Sequence, residues 1–240
     1  MKACILAGGK GERLKPLTDE LPKVMLPVGS RLPGGGKPLL QVLVEGLVRH
    51  GITDLVLCVS YQGEKIMAHF GAGKKFGARI TYAVDPTYLG TAGSIRQLAG
   101  PLGNPFLVVY GDVASKLDYT SLLQFHRQKK APLATLVLHE SDHPQDSDLA
   151  ELDAEGRLTF FGRNPKAKTP ALTNAGAYVL DPALLDCVPA GQRLDFGKDV
   201  FPGLVKAGKP LYGYITSDYM KDIGTLERYQ QVKEEFSLDC

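Results

Sequence analysis

The chain has 240 residues, is 44% hydrophobic and carries a formal charge of +2, enough apolar material for one large α/β domain. That near-neutral balance excludes a nucleic-acid binder built on a basic stripe, and Lys74-Lys75 and Lys129-Lys130 read as solvated surface. No apolar stretch approaches the roughly 20 residues of a membrane span, glycines interrupt the amino terminus before a signal-peptide core, and the cytoplasm is the default location.

Lys2–Leu6 reads as the first strand, and it runs into the glycine-rich loop Gly8-Gly9-Lys10-Gly11. Arg13 follows at once, and Leu21-Pro22-Lys23 supplies a second cation. Arg31–Lys37 (RLPGGGK) reads as a flexible loop insertion. Leu40, Leu43, Val44 and Leu47 recur at helical spacing, with Gly51 where that helix stops. Leu55–Val59, Ile80–Ala83 and Phe106–Tyr110 are apolar runs of strand length, and Glu64–Phe70 and Thr91–Leu98 between them are helical. Asp118 reads as the N-cap of a helix through Leu122, Leu123 and His126. Leu149–Leu152 and Leu158–Phe161 flank Asp153-Ala154-Glu155-Gly156, a hairpin signal. A strand at Ala177–Leu180, a helix from Lys198, a strand at Leu211–Ile215 and a helix from Leu226 complete the chain. Strands alternating with helices predict a largely parallel sheet covered by helices. Cys4, Cys58, Cys187 and Cys240 show no C-x-x-C spacing, and Cys4 and Cys58 sit in apolar runs, which predicts buried thiols.

The chemistry concentrates in residues 3–27. Glycines let the backbone turn sharply and bring bare N–H groups against a polyanion. Arg13 and Lys23 then neutralise charge that grows on phosphate oxygens. The P-loop is excluded, because neither Gly9-Lys10-Gly11 nor Gly36-Lys37-Pro38 is followed by the hydroxyl it needs. The dinucleotide fingerprint starts correctly at Gly9 and Gly11, but Leu14 stands where its third small residue belongs.

The ordered string Leu6 to Thr18, Pro22-Lys23 and Lys37-Pro38 resembles the signature of the sugar-1-phosphate nucleotidyltransferases, or NDP-sugar pyrophosphorylases. The resemblance continues through Leu89-Gly90-Thr91-Ala92-Gly93, Tyr110-Gly111-Asp112, Asn174-Ala175-Gly176 and Asp222-Ile223-Gly224-Thr225, nearly the whole chain. The first of these blocks also resembles the mannose-1-phosphate and heptose-1-phosphate guanylyltransferase branches. The resemblance implies a three-layer α/β/α, Rossmann-like fold with a mixed, mainly parallel central sheet, here as a single domain over residues 1–240. It implies a nucleoside triphosphate and a sugar 1-phosphate as partners, pyrophosphate as leaving group, Mg2+ as cofactor and a homodimer as an allowed assembly.

Asp112 follows a strand directly, and open α/β sheets bind ligands outside the carboxyl ends of their strands. The resemblance assigns the metal to Asp112 and Asp222, consistent with a magnesium ion that takes one or two carboxylates and completes its shell with phosphate. It places the nucleotide on Leu6, Ala7, Gly8, Gly9, Gly11, Gly90 and Thr91, and catalysis on Arg13, Lys23 and Asp112. A phosphate nucleophile is already ionised at neutral pH, so positioning and charge neutralisation carry the reaction and no general base is assigned. His69, His126, His139 and His143 accordingly read as core or surface residues.

Two positions set specificity. Where uracil- and thymine-selective relatives carry Gln, five residues before Gly90, this chain has Asp85. A carboxylate accepts twice and donates nothing, which suits the adjacent N1–H and 2-amino donors of guanine; the competing use is a turn with Pro86. The sugar side departs from the family. Its E-K-P motif is replaced by Arg163-Asn164-Pro165, with Lys166 next, and Asp148 replaces the usual Gly before the hairpin strand. Gly111, Arg163, Lys166, Asn174 and Gly176 are the sugar-phosphate candidates, for a mannose- or heptose-type substrate or an unusual sugar or cyclitol phosphate. The alternatives are a uridylyl- or thymidylyltransferase and a non-catalytic nucleotide-sensing subunit. Intact Arg13, Lys23, Asp112 and Asp222 weigh against the latter, and the absence of a β-helix pattern against an appended acetyltransferase.

Overall fold

The apolar runs Lys2–Leu6 and Asp54–Val59 and the more exposed Arg79–Val84 pair in parallel, with Cys4 opposite Val56 and Val56 opposite Thr81. Ala3, Cys4, Ile5, Leu55, Leu57 and Val59 are buried, the continuous hydrophobic run a strand covered on both faces requires. The computed structural model describes residues 1–29, 35–85, 87–100, 102–141, 144–164, 166–167 and 169–236. Residues 31–34 of the Arg31–Lys37 loop, Pro86, His143, Pro165 and Cys240 lie outside the described residues.

The described chain forms two compact units. The first comprises Lys2–Thr87, Tyr110–Leu117 and the segment from Asp218. Beside its parallel strands lie the helices Leu39–Arg49 and Gly63–Phe70. The first of these buries Leu39, Leu40, Leu43, Val44 and Leu47 and gives way to Gly51, which sits at φ +75°. A short antiparallel pair, Val113–Ser115 with Met220–Asp222, sets Asp222 opposite Val113. The helix Leu226–Glu235 follows, capped by Thr225. Leu14, Leu26, Val28, Leu39, Val42, Ala114, Ile223, Tyr229 and Val232 share one core, which fixes the segments bearing Arg13, Lys23, Asp112 and Asp222 to one another.

The second unit comprises Tyr88–Val109 and Asp118–Ser217, with Met1. Its strands pair mainly antiparallel: Leu158–Gly162 with Leu149–Leu152, and Ala171–Leu180 with Leu149–Leu152, Phe106–Tyr110 and Ala134–Ser141. Leu211–Ile215 joins Ala134–Ser141 in parallel. The expected hairpin is present, its Asp153 Oδ1 accepting from the Glu155 and Arg157 amides at 2.9 Å. Asp118 caps Tyr119–Gln128 by accepting from the Ser121 amide. Tyr178, Phe196 and Phe201 fill the interior, with Phe196 stacked on Phe201 at 5.3 Å.

This is the expected α/β fold with a mixed sheet and flanking helices. Besides the two-residue pair Pro27–Val28 and Lys37–Pro38, three strands were not among the expected elements: Ala134–Ser141, Val113–Ser115 and Met220–Asp222. A short apolar run such as Thr135–Leu138 carries no period that separates strand from helix, and the other two are three-residue strands whose partners are remote in sequence. Cys4 and Cys58 are buried free thiols; burial pushes Cys4 up to about 12 and Cys58 well above its ordinary value. Among the described residues no helix is long and apolar enough to cross a membrane.

Candidate active site

The first strand ends at Leu6, and Ala7 donates to the Cys58 carbonyl at 2.8 Å. Beyond it the Gly8–Gly11 backbone packs on Lys23. A Cβ on Gly9 would stand 3.9 Å from the Lys23 ammonium, and one on Gly11, which sits at φ +68°, would come within 3.0 Å of Lys23 Cβ and Thr18 Cγ2. Thr18 is fully buried and donates its hydroxyl to the Gly11 carbonyl at 2.9 Å. Gly11 also caps the short turn Glu12–Leu14 that carries Arg13.

Asp112 is brought to the same place by a second close approach. The Gly111 amide donates to the Leu6 carbonyl at 2.9 Å, where a Cβ would lie 2.8 Å from that oxygen. The Ile223 amide donates to the Asp112 carbonyl at 2.9 Å, which brings the Asp222 segment alongside. Lys23 Nζ donates to Asp112 Oδ2, with the two side chains 15% and 23% exposed. Burial pulls the Lys23 ammonium down, but the charge and hydrogen bond of Asp112, helped by Asp222, outweigh burial and the opposing Arg13 and hold it above its ordinary value. Asp222 Oδ1 accepts from the Gly224 amide at 2.7 Å, and Oδ2 accepts from Arg228 Nη1 at 2.6 Å. A Cβ on Gly224 would strike Asp222 Oδ1 and lie 3.0 Å from Arg13 Nη2. Arg13, Lys23, Asp112, Asp222 and Arg228 therefore form one charged cluster against the glycine loop. Arg228 was not a sequence candidate; the available signal is a cation in the first turn of a helix, where the dipole disfavours it.

The two carboxylates offer hard oxygen donors, the chemistry Mg2+ takes. Among the described residues no group of three or more His, Cys, Asp or Glu gathers. This donor set fits a cation that leaves most of its shell to phosphate and water rather than one held in an all-protein cage.

Asp85 belongs to the same unit. It is buried, and its Oδ1 accepts from the Thr87 amide at 3.2 Å and the Thr87 hydroxyl at 3.4 Å, so the carboxylate does shape the turn. Gly90 and Thr91 belong to the second unit, where the 194–196 segment holds them. A Cβ on Gly90, at φ +75°, would meet the Leu194 carbonyl at 2.5 Å. The Thr91 amide donates to Asp195 Oδ1 at 3.0 Å, and its hydroxyl accepts from the Phe196 amide at 2.9 Å. Asp195 was also not a candidate, since it lies 104 residues from Thr91.

Asn174-Ala175-Gly176 is a bulge in its strand. Asn174 Oδ1 accepts from the Gly176 amide at 3.0 Å, and Nδ2 donates to Tyr178 Oη at 2.8 Å. The two departures from the family pattern meet: Arg163 Nε donates to Asp148 Oδ1 at 3.2 Å, and the Asp148 carbonyl accepts from the Asn174 amide at 2.9 Å. Lys166 is exposed, its amide donating to Asn164 Oδ1 at 3.0 Å. Of the histidines, buried His126 bonds Thr135 Oγ1 at 2.8 Å and His69 bonds Gln41 at 3.0 Å.

Comparison with known proteins places the chain in a family. A mannose-1-phosphate guanylyltransferase of Mycobacterium tuberculosis is 36% identical over 229 residues, covering 95% of this chain and 62% of the relative. A UTP–glucose-1-phosphate uridylyltransferase of Synechocystis is 32% identical over 247 residues, covering 96% and 62%. The chain thus spans less than two thirds of the length of these curated relatives. A Bacillus anthracis crystal structure, provisionally assigned as a glucose-1-phosphate thymidylyltransferase and solved with sucrose, superposes with a TM-score of 0.85 at 25% identity, covering 100% of this chain and 98% of that one. HddC from Yersinia pseudotuberculosis shares the fold, with a TM-score of 0.82 at 24% identity and coverage of 98% and 99%. The nucleotidyl transferase family model matches residues 2–237, and the chain belongs to that family.

Proposed function

We propose that this chain joins a nucleoside triphosphate, GTP by preference, to a sugar 1-phosphate of mannose or heptose type, releasing pyrophosphate in the cytoplasm. The observation that carries the reading is the Arg13–Lys23–Asp112–Asp222 cluster, drawn from separate segments onto one glycine loop. Backbone amides of the loop receive the triphosphate, and Arg13 faces its oxygens. Lys23, kept charged by Asp112, balances the phosphates at the reaction centre. The sugar phosphate attacks the α-phosphorus in line, and its oxygen needs no base because it is already ionised. Asp112 and Asp222 would hold Mg2+, which supplies charge neutralisation to the triphosphate when bound.

Mannose-1-phosphate guanylyltransferases among the relatives support GTP, and a buried Asp85 supports it by the acceptor argument. The second reading, a uridylyl- or thymidylyltransferase, is favoured by the turn that Asp85 Oδ1 already caps and by the uridylyl- and thymidylyltransferase names among the similar proteins. Pyrophosphate release with every NTP against a set of sugar 1-phosphates tests both. GTP with mannose or heptose 1-phosphate should turn over fastest. A UTP or dTTP preference selects the second reading, and no release with any pair points to a nucleotide-sensing subunit.

A further inference from the structure

The chemistry proposed above leaves the Arg228–Asp222 pair without a task. Arg228 stands in the first turn of the Leu226–Glu235 helix, and the Thr225 hydroxyl accepts from its amide at 3.2 Å, which fixes its backbone. From there the side chain turns back to Asp222 Oδ2 at 2.6 Å. A cation in that turn meets the positive end of the helix dipole, so Asp222 is the contact that offsets its placement. The Gly224 amide takes Asp222 Oδ1 at 2.7 Å. Both oxygens of a proposed metal ligand are therefore already engaged, one of them by a full positive charge. The two side chains are 31% and 38% exposed, so this contact opens without unpacking the core around Ile223 and Tyr229. The Lys23–Asp112 contact is more enclosed.

We infer that Arg228 is a displaceable counter-ion of Asp222, which holds the carboxylate until a divalent cation takes it and so sets the affinity of the site for that cation. The inference rests on the metal reading of Asp112 and Asp222. Guanidinium and divalent cation compete for the same oxygen, and the guanidinium also repels the incoming charge. Removing it acts in one direction on both counts. Arg228 is a positioning residue here and is given no step in the reaction.

The test is Mn2+ binding to the nucleotide-free protein, followed by electron paramagnetic resonance and calorimetry, with circular dichroism confirming that each variant is folded. Arg228→Gln should bind Mn2+ roughly fivefold or more tightly, the effect of one unit charge at contact distance in a wet site. Arg228→Lys, which keeps the charge but loses the planar fork, should fall between wild type and Arg228→Gln, and it serves alone if the Gln variant does not fold. Asp222→Asn should bind Mn2+ much more weakly. Unchanged or weaker Mn2+ affinity in both Arg228 variants, with Asp222→Asn impaired, overturns the inference and leaves the metal reading standing. If Asp222→Asn binds as wild type does, the metal reading falls and the inference falls with it.

Discussion

Lys23–Asp112 and Arg163–Asp148 are both cation–carboxylate contacts, yet they are built from different material. Lys23 and Asp112 are both largely enclosed, and a Cβ on Gly111, beside Asp112, would lie 2.8 Å from the Leu6 carbonyl. Arg163, just past the end of the strand Leu158–Gly162, is 57% exposed, although its partner Asp148 is 17% exposed. Breaking a buried pair costs about 3–5 kcal/mol because a charge is stranded, whereas an exposed pair contributes about 0–1 kcal/mol. The enclosed pair therefore has one arrangement and suits chemistry that depends on fixed charge. An exposed pair rearranges at little cost and suits the choice of substrate.

The largest expected effect tests the enclosed side. Asp112→Asn removes the charge but keeps the shape and the backbone carbonyl that holds Ile223. Turnover should fall by about a thousandfold or more, with a lowered Tm from the stranded Lys23 but an intact circular dichroism spectrum. A folded variant that works at a near-normal rate breaks the comparison at its stronger end.

Next come the cations. Arg13→Ala and Lys23→Ala should lower kcat by roughly a hundredfold to a thousandfold, and nucleotide affinity by much less, because both act on charge that develops in the transition state. Equal losses in kcat and in affinity would remove that role. Lys23 adds a pH signature. Its folded pKa lies above the ordinary 10.5, so its contribution to stability is fully present below that value and is lost as pH rises through the folded one. The Tm gap between wild type and Lys23→Ala should stay constant up to about pH 9 and shrink only beyond the ordinary lysine range. A gap that closes near neutral pH contradicts a raised Lys23.

Much of the enclosed side was legible in the sequence, because its residues lie in short ordered strings with fixed local geometry. The glycine-rich loop through Gly11 reads as a turn and Gly111 as a ligand contact, and Asp112 stands two residues past the end of its strand. What the sequence left out is pairing across distance. Arg228 lies in a helix turn where a cation has no local reason to be, and Asp195 reaches Thr91 from 104 residues away. Asp148 and Arg163 were each visible as departures from the family pattern; that they are partners appears only when the hairpin strand Leu158–Gly162 folds back toward Leu149. The Val113–Ser115 and Met220–Asp222 strands, which bring the two candidate metal carboxylates alongside, are too short to carry a period.

A smaller effect sharpens the nucleotide assignment. Asp85→Gln exchanges one acceptor for a donor, leaving a guanine donor unpaired at about 1–3 kcal/mol, so roughly tenfold or more should be lost in kcat/KM with GTP. UTP and dTTP should gain relative to GTP, because discrimination here rests on mismatched polar groups. The measurement is kcat/KM for all NTPs in both proteins. An unchanged base ranking leaves Asp85 with only its Thr87 turn.

The smallest effect belongs to the exposed pair and decides whether it reads substrate at all. Arg163 and Lys166 are the cations left where the family carries its phosphate-binding lysine, and Arg163 is the one tied to Asp148. If Arg163 takes the sugar phosphate, Arg163→Ala removes binding that is equal in ground and transition states. KM for the sugar 1-phosphate should then rise by roughly tenfold, as for loss of a charged hydrogen bond, with kcat nearly unchanged. Asp148→Asn cuts the restraint on Arg163 but leaves the cation in place, so KM should move by about threefold at most, and Tm by little because the Arg163 end of the contact is exposed. The double variant should then resemble Arg163→Ala alone, because Asp148 acts through Arg163. A substantial loss of Tm in Asp148→Asn, with KM untouched in Arg163→Ala, would mean that the pair braces the hairpin and that substrate choice lies elsewhere, in Asn174 or Lys166.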